Sequence, residues 1–292
     1  MIVSPLHGEW TLLHPKVSPP EDSGGVEAFD GASEQLLLTG GGPTFGPFMA
    51  STWLWNTKLW SKLSTPVHPP GLFGPVMAYD SDTKQLVLFG GTPNGNTYSN
   101  ATWIWNGRAW RQAHPGTRPG ARGYACMAFD PASHQLILFA GNNSTTFFDD
   151  TWTWTGSDWR ELHPTTSPSA SIEDGFAYDP VDHGLILFGG ALASNGSALG
   201  QTWLWSGSDW RELSPADSPV PRSDPALGWD PVSKVLVLFG GLDNTTAPLS
   251  DTWVWQGSTW ELLKVNRAPE PRAAGNQFAY DPRIGCFLLY GG

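Results

Sequence analysis

Cysteine is nearly absent, with two residues in a chain of 292. That is too few for a disulfide framework, and no Cys-x-x-Cys or Cys/His cluster offers a metal site. Long hydrophobic runs are missing as well. The longest are strand-sized pieces such as Leu185 to Phe188, which excludes a membrane-spanning helix. No stretch of ten or more residues carries a clean 3.6-residue apolar period, so almost no helix is expected. Basic residues are few, 16 against 27 acidic ones for a net charge of −11, which argues against nucleic acid or an anionic membrane as partner. What the chain does hold is 40% hydrophobic residues, enough for a core, and 17 Trp. Its 34 Gly and 26 Pro make up about a fifth of the chain, below the roughly 25–30% that signals disorder when no period is present.

A period is present. Leu36-Leu-Leu-Thr-Gly-Gly41, Leu86-Val-Leu-Phe-Gly-Gly91, Leu136-Ile-Leu-Phe-Ala-Gly141, Leu185-Ile-Leu-Phe-Gly-Gly190, Leu236-Val-Leu-Phe-Gly-Gly241 and Phe287-Leu-Leu-Tyr-Gly-Gly292 start 50, 50, 49, 51 and 51 residues apart. A Thr-Trp-x-Trp series begins at Trp53, Trp103, Trp152, Trp203 and Trp253, each followed by a third Trp at Trp60, Trp110, Trp159, Trp210 and Trp260. Trp10 holds that third position one period earlier, and Trp229 stands apart. Each period reads as four short strands, A to D; in the second they are Pro75–Tyr79, Gln85–Phe89, Thr102–Trp105 and Trp110–Ala113.

The connections are unequal. A joins B through a tight Asp-led turn such as Asp130-Pro-Ala-Ser-His134, where Asp caps and Pro presets φ. C joins D through turns such as Asn106-Gly-Arg, where Gly supplies a positive φ. B to C and D to A are long and variable. Alternate connections of a meander fall on opposite edges, so the tight turns are expected on one face and the long loops on the other. A lone four-stranded sheet cannot bury both faces, so copies must stack, and radial stacking of such sheets makes a β-propeller.

These residues resemble the kelch-repeat family, of the kind that forms the central domain of galactose oxidase: a hydrophobic run ending in Gly-Gly, an aromatic strand, and a Trp at fixed spacing. The period near fifty agrees. Trp stands where kelch repeats usually carry Tyr, Ala140 replaces a Gly, and the Arg before strand A appears only at Arg122, Arg222 and Arg272. The resemblance implies an all-β fold, a six-bladed β-propeller of four-stranded antiparallel blades forming a single domain over 1–292. Blades are expected near 24–63, 74–113, 123–162, 174–213, 225–263 and 275–292 plus 8–13. In this count the last blade takes an N-terminal D strand, Glu9–Leu13, and lacks its C strand. The natural chain is expected to run at least fifteen or so residues past Gly292, which leaves more than six blades open.

Candidate chemistry is sparse. Periodic Trp within strands reads as blade-to-blade core, and Trp229 as a volume substitution. The seven His, His7, His14, His68, His114, His134, His163 and His183, lack metal-ligand spacing and read as polar loop residues. There is no Gly-x-Ser-x-Gly elbow. Cys126 and Cys286 fall on opposed blades and are expected as buried free thiols. The galactose oxidase resemblance implies a test for copper-radical chemistry, which needs two Tyr, two His and a Cys cross-linked to a Tyr. Tyr79, Tyr124, Tyr178, Tyr280 and Tyr290 sit in expected strands, and Tyr98, in a loop, has no His set. Turns such as Gly257-Ser-Thr-Trp260 are similar to sialidase Asp-boxes but lack the Ser-x-Asp-x-Gly part.

What remains is the long-loop face, where recognition usually resides on rigid scaffolds. The candidate binding residues are Arg122, Arg222, Arg272, Arg118, Asn96, Tyr98, Asn143, Asn195, Asn244 and Asp174, with the three strand-A arginines expected near the central opening. No catalytic residue, metal or cofactor is assigned. The expected role is a non-catalytic module that binds a protein or glycan. A copper oxidase or carbohydrate-active enzyme on the same face, and an architectural repeat of a larger surface protein, are the alternatives. Asn100, Asn142, Asn143, Asn195 and Asn244 head glycosylation sequons, which such loops produce by chance. Few Lys and many Ser, Thr and Trp favour an extracellular or cell-surface place, although Met1-Ile-Val-Ser-Pro-Leu is no signal peptide.

Overall fold

The computed structural model describes residues 2–4, 10–20, 23–43, 47–273, 275 and 277–291. His7, Glu9 and Gly292, which figured in the sequence reading, lie outside them. Among the described residues there is no helix, and hence none long and apolar enough to cross a membrane.

Among the described residues, six four-stranded antiparallel sheets stand in a propeller arrangement. The second runs Val76–Asp80, Gln85–Phe89, Thr102–Trp105, Trp110–Ala113, and its neighbours repeat that order at the expected period. Strand A of each sheet touches strand A of the next, and Phe278–Asp281 of the sixth touches Ser23–Asp30 of the first. The ring is therefore closed.

The sixth sheet corrects the strand count. Phe278–Asp281 and Cys286–Leu289 pair as A and B, and Ile2–Ser4 takes the C place between Cys286–Leu289 and Thr11–Leu12. The C strand thought to be missing is supplied by the first residues of the chain. Register runs Ile2 to Leu289 and Ile2 to Leu12, so both partners are antiparallel and the order of the other five sheets is kept. Without a Thr-Trp-x-Trp signature, a three-residue strand left no mark in the pattern.

Local chemistry explains the turns. Asp30, Asp80, Asp130, Asp179, Asp230 and Asp281 each accept a backbone N–H two residues on, at 2.7–3.0 Å. These are the expected Asp-capped A–B turns. Gly107, Gly156, Gly207 and Gly257 take φ of 78–89° in the C–D turns, and Thr57 takes the strained place in the first sheet at φ 77°.

The Gly-Gly pairs have a packing reason. The second glycine donates to a carbonyl in the segment that leads into the next sheet, Gly91 to Arg122, Gly190 to Arg222 and Gly241 to Arg272, each at 2.8–2.9 Å. A Cβ on Gly189 would meet the Arg222 carbonyl at 2.5 Å. Backbone must approach backbone here, and a side chain would hold it off.

The long connections are less free than their composition suggests. In the second, third and fifth sheets the end of the D–A segment bridges to the B–C loop of its own sheet, at Phe73 with Thr92, Gly123 with Asn142, and Ser223 with Leu242. In the fourth sheet this grows into an unforeseen two-stranded ribbon, Ser171–Ile172 with Ala191–Leu192. The first part of the D–A segment docks on the next sheet's outer strand, where the Trp159 N–H donates to Thr117 and that of Trp260 to Asp217, at 3.3 and 3.1 Å.

The core is interblade, as the periodic aromatics implied. Strand-B runs such as Leu136–Phe139 are fully buried, and the strand-D tryptophans Trp60, Trp110, Trp159, Trp210 and Trp260 are at most 2% exposed. Trp210 packs against Phe139 of the preceding sheet at 4.8 Å and against its own Trp205 at 5.3 Å. Cys126 and Cys286 are free. Cys286 is only half-buried, unlike the expectation for both.

Candidate functional site

One position repeats around the axis just before strand A: Gly24, Gly74, Tyr124, Glu173, Asp224 and Gly275. All six have positive φ, between 24° and 66°. Their backbones are strung together: the N–H of Gly74 donates to Gly24, Tyr124 to Gly74, Glu173 to Tyr124, Asp224 to Glu173 and Gly275 to Asp224, at 2.8–3.0 Å. Each bond crosses from one sheet to the next. Left-handed backbone costs about 1–3 kcal/mol for a non-glycine residue and persists only where the surroundings over-determine it. Here that cost falls on Tyr124, Glu173 and Asp224.

The belt rims a cleft of about 140 Å³ lined by Ser23, Gly24, Gly25, Phe73, Gly74, Tyr124, Glu173, Asp174, Asp224, Gly275 and Gln277. One half of the rim carries side chains and the other half is glycine. The glycines make room: a Cβ on Gly74 would lie 2.9 Å from the Tyr124 ring, and one on Gly275 would collide with the Asp224 carboxyl. Phe73 and Tyr124 line the cleft with ring centroids 6.1 Å apart, and Phe48 packs on Phe73 at 5.1 Å.

Below it lies a second ring at the same period: Glu27, Met77, Met127, Phe176, Leu227 and Phe278. They wall a deeper cavity of about 90 Å³ that shares Asp174 and Gly275 with the cleft above. Five of these six positions are apolar, and Glu27 is the exception. It is 4% exposed, and neither carboxyl oxygen has a partner among the described residues.

Electrostatics follow from burial. Desolvation pushes the Glu27 carboxyl well above its ordinary range. Asp174, which accepts a 3.0 Å bond from Ser171 through one oxygen and leaves the other unpartnered, moves the same way. Glu173 is raised by burial, with a Ser223 hydrogen bond opposing. Burial and the neighbouring Glu173 raise Asp224. Tyr124 is pushed up to about 12 by burial, then by Tyr98, Glu173 and Asp224. The cleft therefore holds carboxyls biased toward the protonated form. They can donate and accept hydrogen bonds, or ionise if a cation enters.

The residues singled out in the sequence separate clearly. Asp174 lines the cleft. Tyr98 stands against Gly123, its ring 3.2 Å from where a Cβ would be, beside Tyr124. Arg122 and Arg222 do not face an opening. Arg122 forks onto Asp150 at 2.5 and 2.8 Å and donates to the Ala140 carbonyl, with Phe148 3.7 Å over its guanidinium. Arg222 repeats this with Asp251 at 2.6 and 2.9 Å and the Gly240 carbonyl. At 1% and 0% exposure, both tie the D–A segment to the B–C loop of their own sheet. Arg272 is half-buried and bonds the carbonyls of Glu270 and Gly291. Arg118 and Asn96 are exposed. Asn143 and Asn195 accept backbone N–H groups within their own loops, and Asn244 reaches the Ala198 N–H of the neighbouring loop at 2.8 Å.

Tyr124, expected inside a strand, stands two residues before Cys126–Asp130. Glu173 and Asp224 were expected on the long-loop face but outside the binding set, and neither Tyr124, Glu27 nor Gln277 was expected to serve the site. Extending the fifty-residue register to the loops aligns the belt and would have found them. Among the described residues no group of three or more His, Cys, Asp or Glu is disposed to hold a metal ion. In comparisons with known proteins, no family model and no curated protein matches this chain, so the kelch likeness rests on its motifs.

Proposed function

We propose that this chain is a six-bladed, kelch-type propeller serving as a non-catalytic binding module, which recognises a protein or glycan through the face where its D–A and B–C loops meet. The observation that carries this reading is the axial cleft, to which every sheet contributes one belt residue. Its rim is held by interblade backbone bonds and its loops are bridged to each other, so little ordering entropy is lost when a ligand seats. Phe73 and Tyr124 offer stacking area, and the carboxyls beside them offer directional hydrogen bonds.

Glycan and peptide arrays probed with the wild type, Tyr124→Ala and Asp224→Asn test it. A ligand should appear for the wild type, with loss of signal for both variants. Ligands retained by both variants, or none at all, would refute the assignment.

One observation favours a second reading, a carbohydrate-active enzyme. Glu173 and Asp224 are two carboxyls with raised pKa in one cleft, the equipment of acid–base glycoside hydrolysis. Turnover of aryl glycosides that disappears in Glu173→Gln would establish it.

A further inference from the structure

Three arginines stand at one place in the repeat, and two of them show what that place is built to hold. Arg122, Arg222 and Arg272 each donate Nε to the carbonyl two residues back, at 3.0–3.1 Å, and Nη1 to the carbonyl just past strand B, at 2.9–3.0 Å. Their main-chain N–H groups also bond alike, to Ser99, Leu199 and Leu249. The guanidinium is thus set in the same way three times. In the third and fifth sheets its remaining edge forks onto Asp150 and Asp251, at 2.5–2.9 Å. In the sixth sheet that edge meets no carboxylate among the described residues. Glu270 lies near enough to favour the charge of Arg272, yet bonds it only through a main-chain carbonyl.

The partner this edge calls for is more than a charge. The residue at the Asp251 place also accepts, through its own carbonyl, the N–H of the glycine that follows strand B: Gly240 donates to Asp251, Gly189 to Gln201 and Gly90 to Ala101, at 3.2–3.3 Å. Gly291 holds that glycine place in the sixth sheet, and its N–H has no partner among the described residues. Ile2 pairs with Leu289 as Trp253 pairs with Leu238. The place of Asp251, two residues before Trp253, therefore falls ahead of Met1 and outside this sequence. It is a place that solvent reaches, since the side chains of Asp150 and Asp251 are 22% and 29% exposed.

We propose that Arg272 and Gly291 form a receptor for an aspartyl residue of another polypeptide, its carboxylate on the guanidinium fork and its main-chain carbonyl on the Gly291 N–H. A guanidinium edge and a carboxylate match in two parallel bonds. The added main-chain bond favours a peptide-borne aspartate over a free acid. A net charge of −11 opposes anions in general, so affinity rests on this fit rather than on steering. Neither residue lines the axial cleft, and the inference does not depend on the reading given to that cleft.

Titration calorimetry on the full chain tests this with Nα-acetyl-aspartyl amide, its neutral counterpart Nα-acetyl-asparaginyl amide, and acetate, while the arginine Nε–H resonances are followed in parallel. Saturable binding of the aspartyl compound is expected, at least tenfold tighter than the asparaginyl one and tighter than acetate. It should shift the Arg272 resonance and leave those of Arg122 and Arg222 in place. Arg272→Gln should abolish binding, and Arg272→Lys, which keeps the charge without the fork, should weaken it at least fivefold; the lysine variant is read alone should the other fail to fold. Tyr124→Ala should bind the aspartyl compound as the wild type does, even where an array ligand is lost. Equal binding of the aspartyl and asparaginyl compounds, unchanged binding in the Arg272 variants, loss in Tyr124→Ala, or no binding of the aspartyl compound would overturn the proposal. Acetate binding as tightly would overturn the polypeptide source. An acidic residue found two places before Ile2 in the protein from its natural host, with the Arg272 resonance already shifted, would overturn the second polypeptide.

Discussion

Four of the six joints in the ring are built alike, and the two beside the composite sixth sheet are not. At the regular joints the strand-D tryptophan donates its indole N–H to the strand-C threonine of the preceding sheet: Trp110 to Thr52, Trp159 to Thr102, Trp210 to Thr151 and Trp260 to Thr202, at 2.8–3.0 Å. At the fifth joint the corresponding atoms, Trp10 Nε1 and Thr252 Oγ1, have no partner among the described residues. At the sixth, the indole of Trp60 also lacks one, and the preceding strand C is Ile2–Ser4, which contains no threonine. Other chemistry closes that joint. Arg283 spans from Asp281 to the carbonyls of Glu34 and Trp55 at 2.9 and 3.0 Å, and Tyr290 bonds the Pro19 carbonyl and edges onto Trp60. A repeat can hold one solution only where its neighbours are equivalent. Where two chain ends meet, the sequence is free to use another.

The largest expected effect tests the shared part of these joints, indole burial. Trp210→Ala should cost about 3–5 kcal/mol, and Trp10→Ala a similar amount less the hydrogen bond, measured as denaturant midpoints at constant m. Next, the guanidinium clamps should divide the same way. Arg222→Ala strands the partly solvated Asp251 and should cost about 3 kcal/mol, the low end for breaking a buried pair. Arg272→Ala removes bonds to carbonyls alone and should cost about 1 kcal/mol. Equal costs would erase the distinction between regular and composite regions. Smaller again, Thr151→Val should cost about 1–3 kcal/mol by leaving a buried indole unpaired, while Thr252→Val should stay within about 0.5 kcal/mol. A large loss in Thr252→Val would mean that the fifth joint is stapled in solution.

The last prediction concerns pH. Glu27, Asp174, Glu173 and Asp224 are all raised in the folded state. Between the unfolded carboxyl value of about 4 and those raised values, the folded protein binds more protons than the unfolded one. Their contribution is therefore fully present below about pH 4 and is lost as pH rises. The depressed carboxyls Asp209, Asp243 and Asp251 act only below their unfolded value and leave the window from pH 5 to 7 untouched. Thermal midpoints should rise as pH falls from 7 to 5, with a shallower slope in Glu27→Gln. A parallel slope in the variant would show that Glu27 does not titrate there.

Much of the architecture was written in the residues. The Leu-rich runs, the Thr-Trp-x-Trp series, the Asp-led turns and the glycines of the C–D turns each report a local requirement. The site was legible only in part. Arg122 and Arg222 could equally have served a ligand or the scaffold, because a guanidinium fork suits both, and the carboxylates that engage them lie 28 and 29 residues away. Tyr124 looked like a strand residue because its neighbours are strand formers. Nothing within a few residues of Glu173 and Asp224 announces their left-handed backbone, because it is imposed from across the sheet boundary. Strand Ile2–Ser4 was invisible because three residues carry no periodicity, and a strand that short exists by virtue of the two edges it joins.

By itself, then, the amino-acid order determined the repeating unit: strand lengths, turn chemistry and the need for copies to stack, all set by interactions within a few residues or between identical neighbours. Which copy meets the chain ends, which arginines are used up internally, and which six residues face one another around the axis were decided by tertiary structure. The arginine clamps join residues 28 and 29 positions apart, while the belt contacts join residues some fifty positions apart, and only the folded sheets and the closed ring bring them within bonding distance.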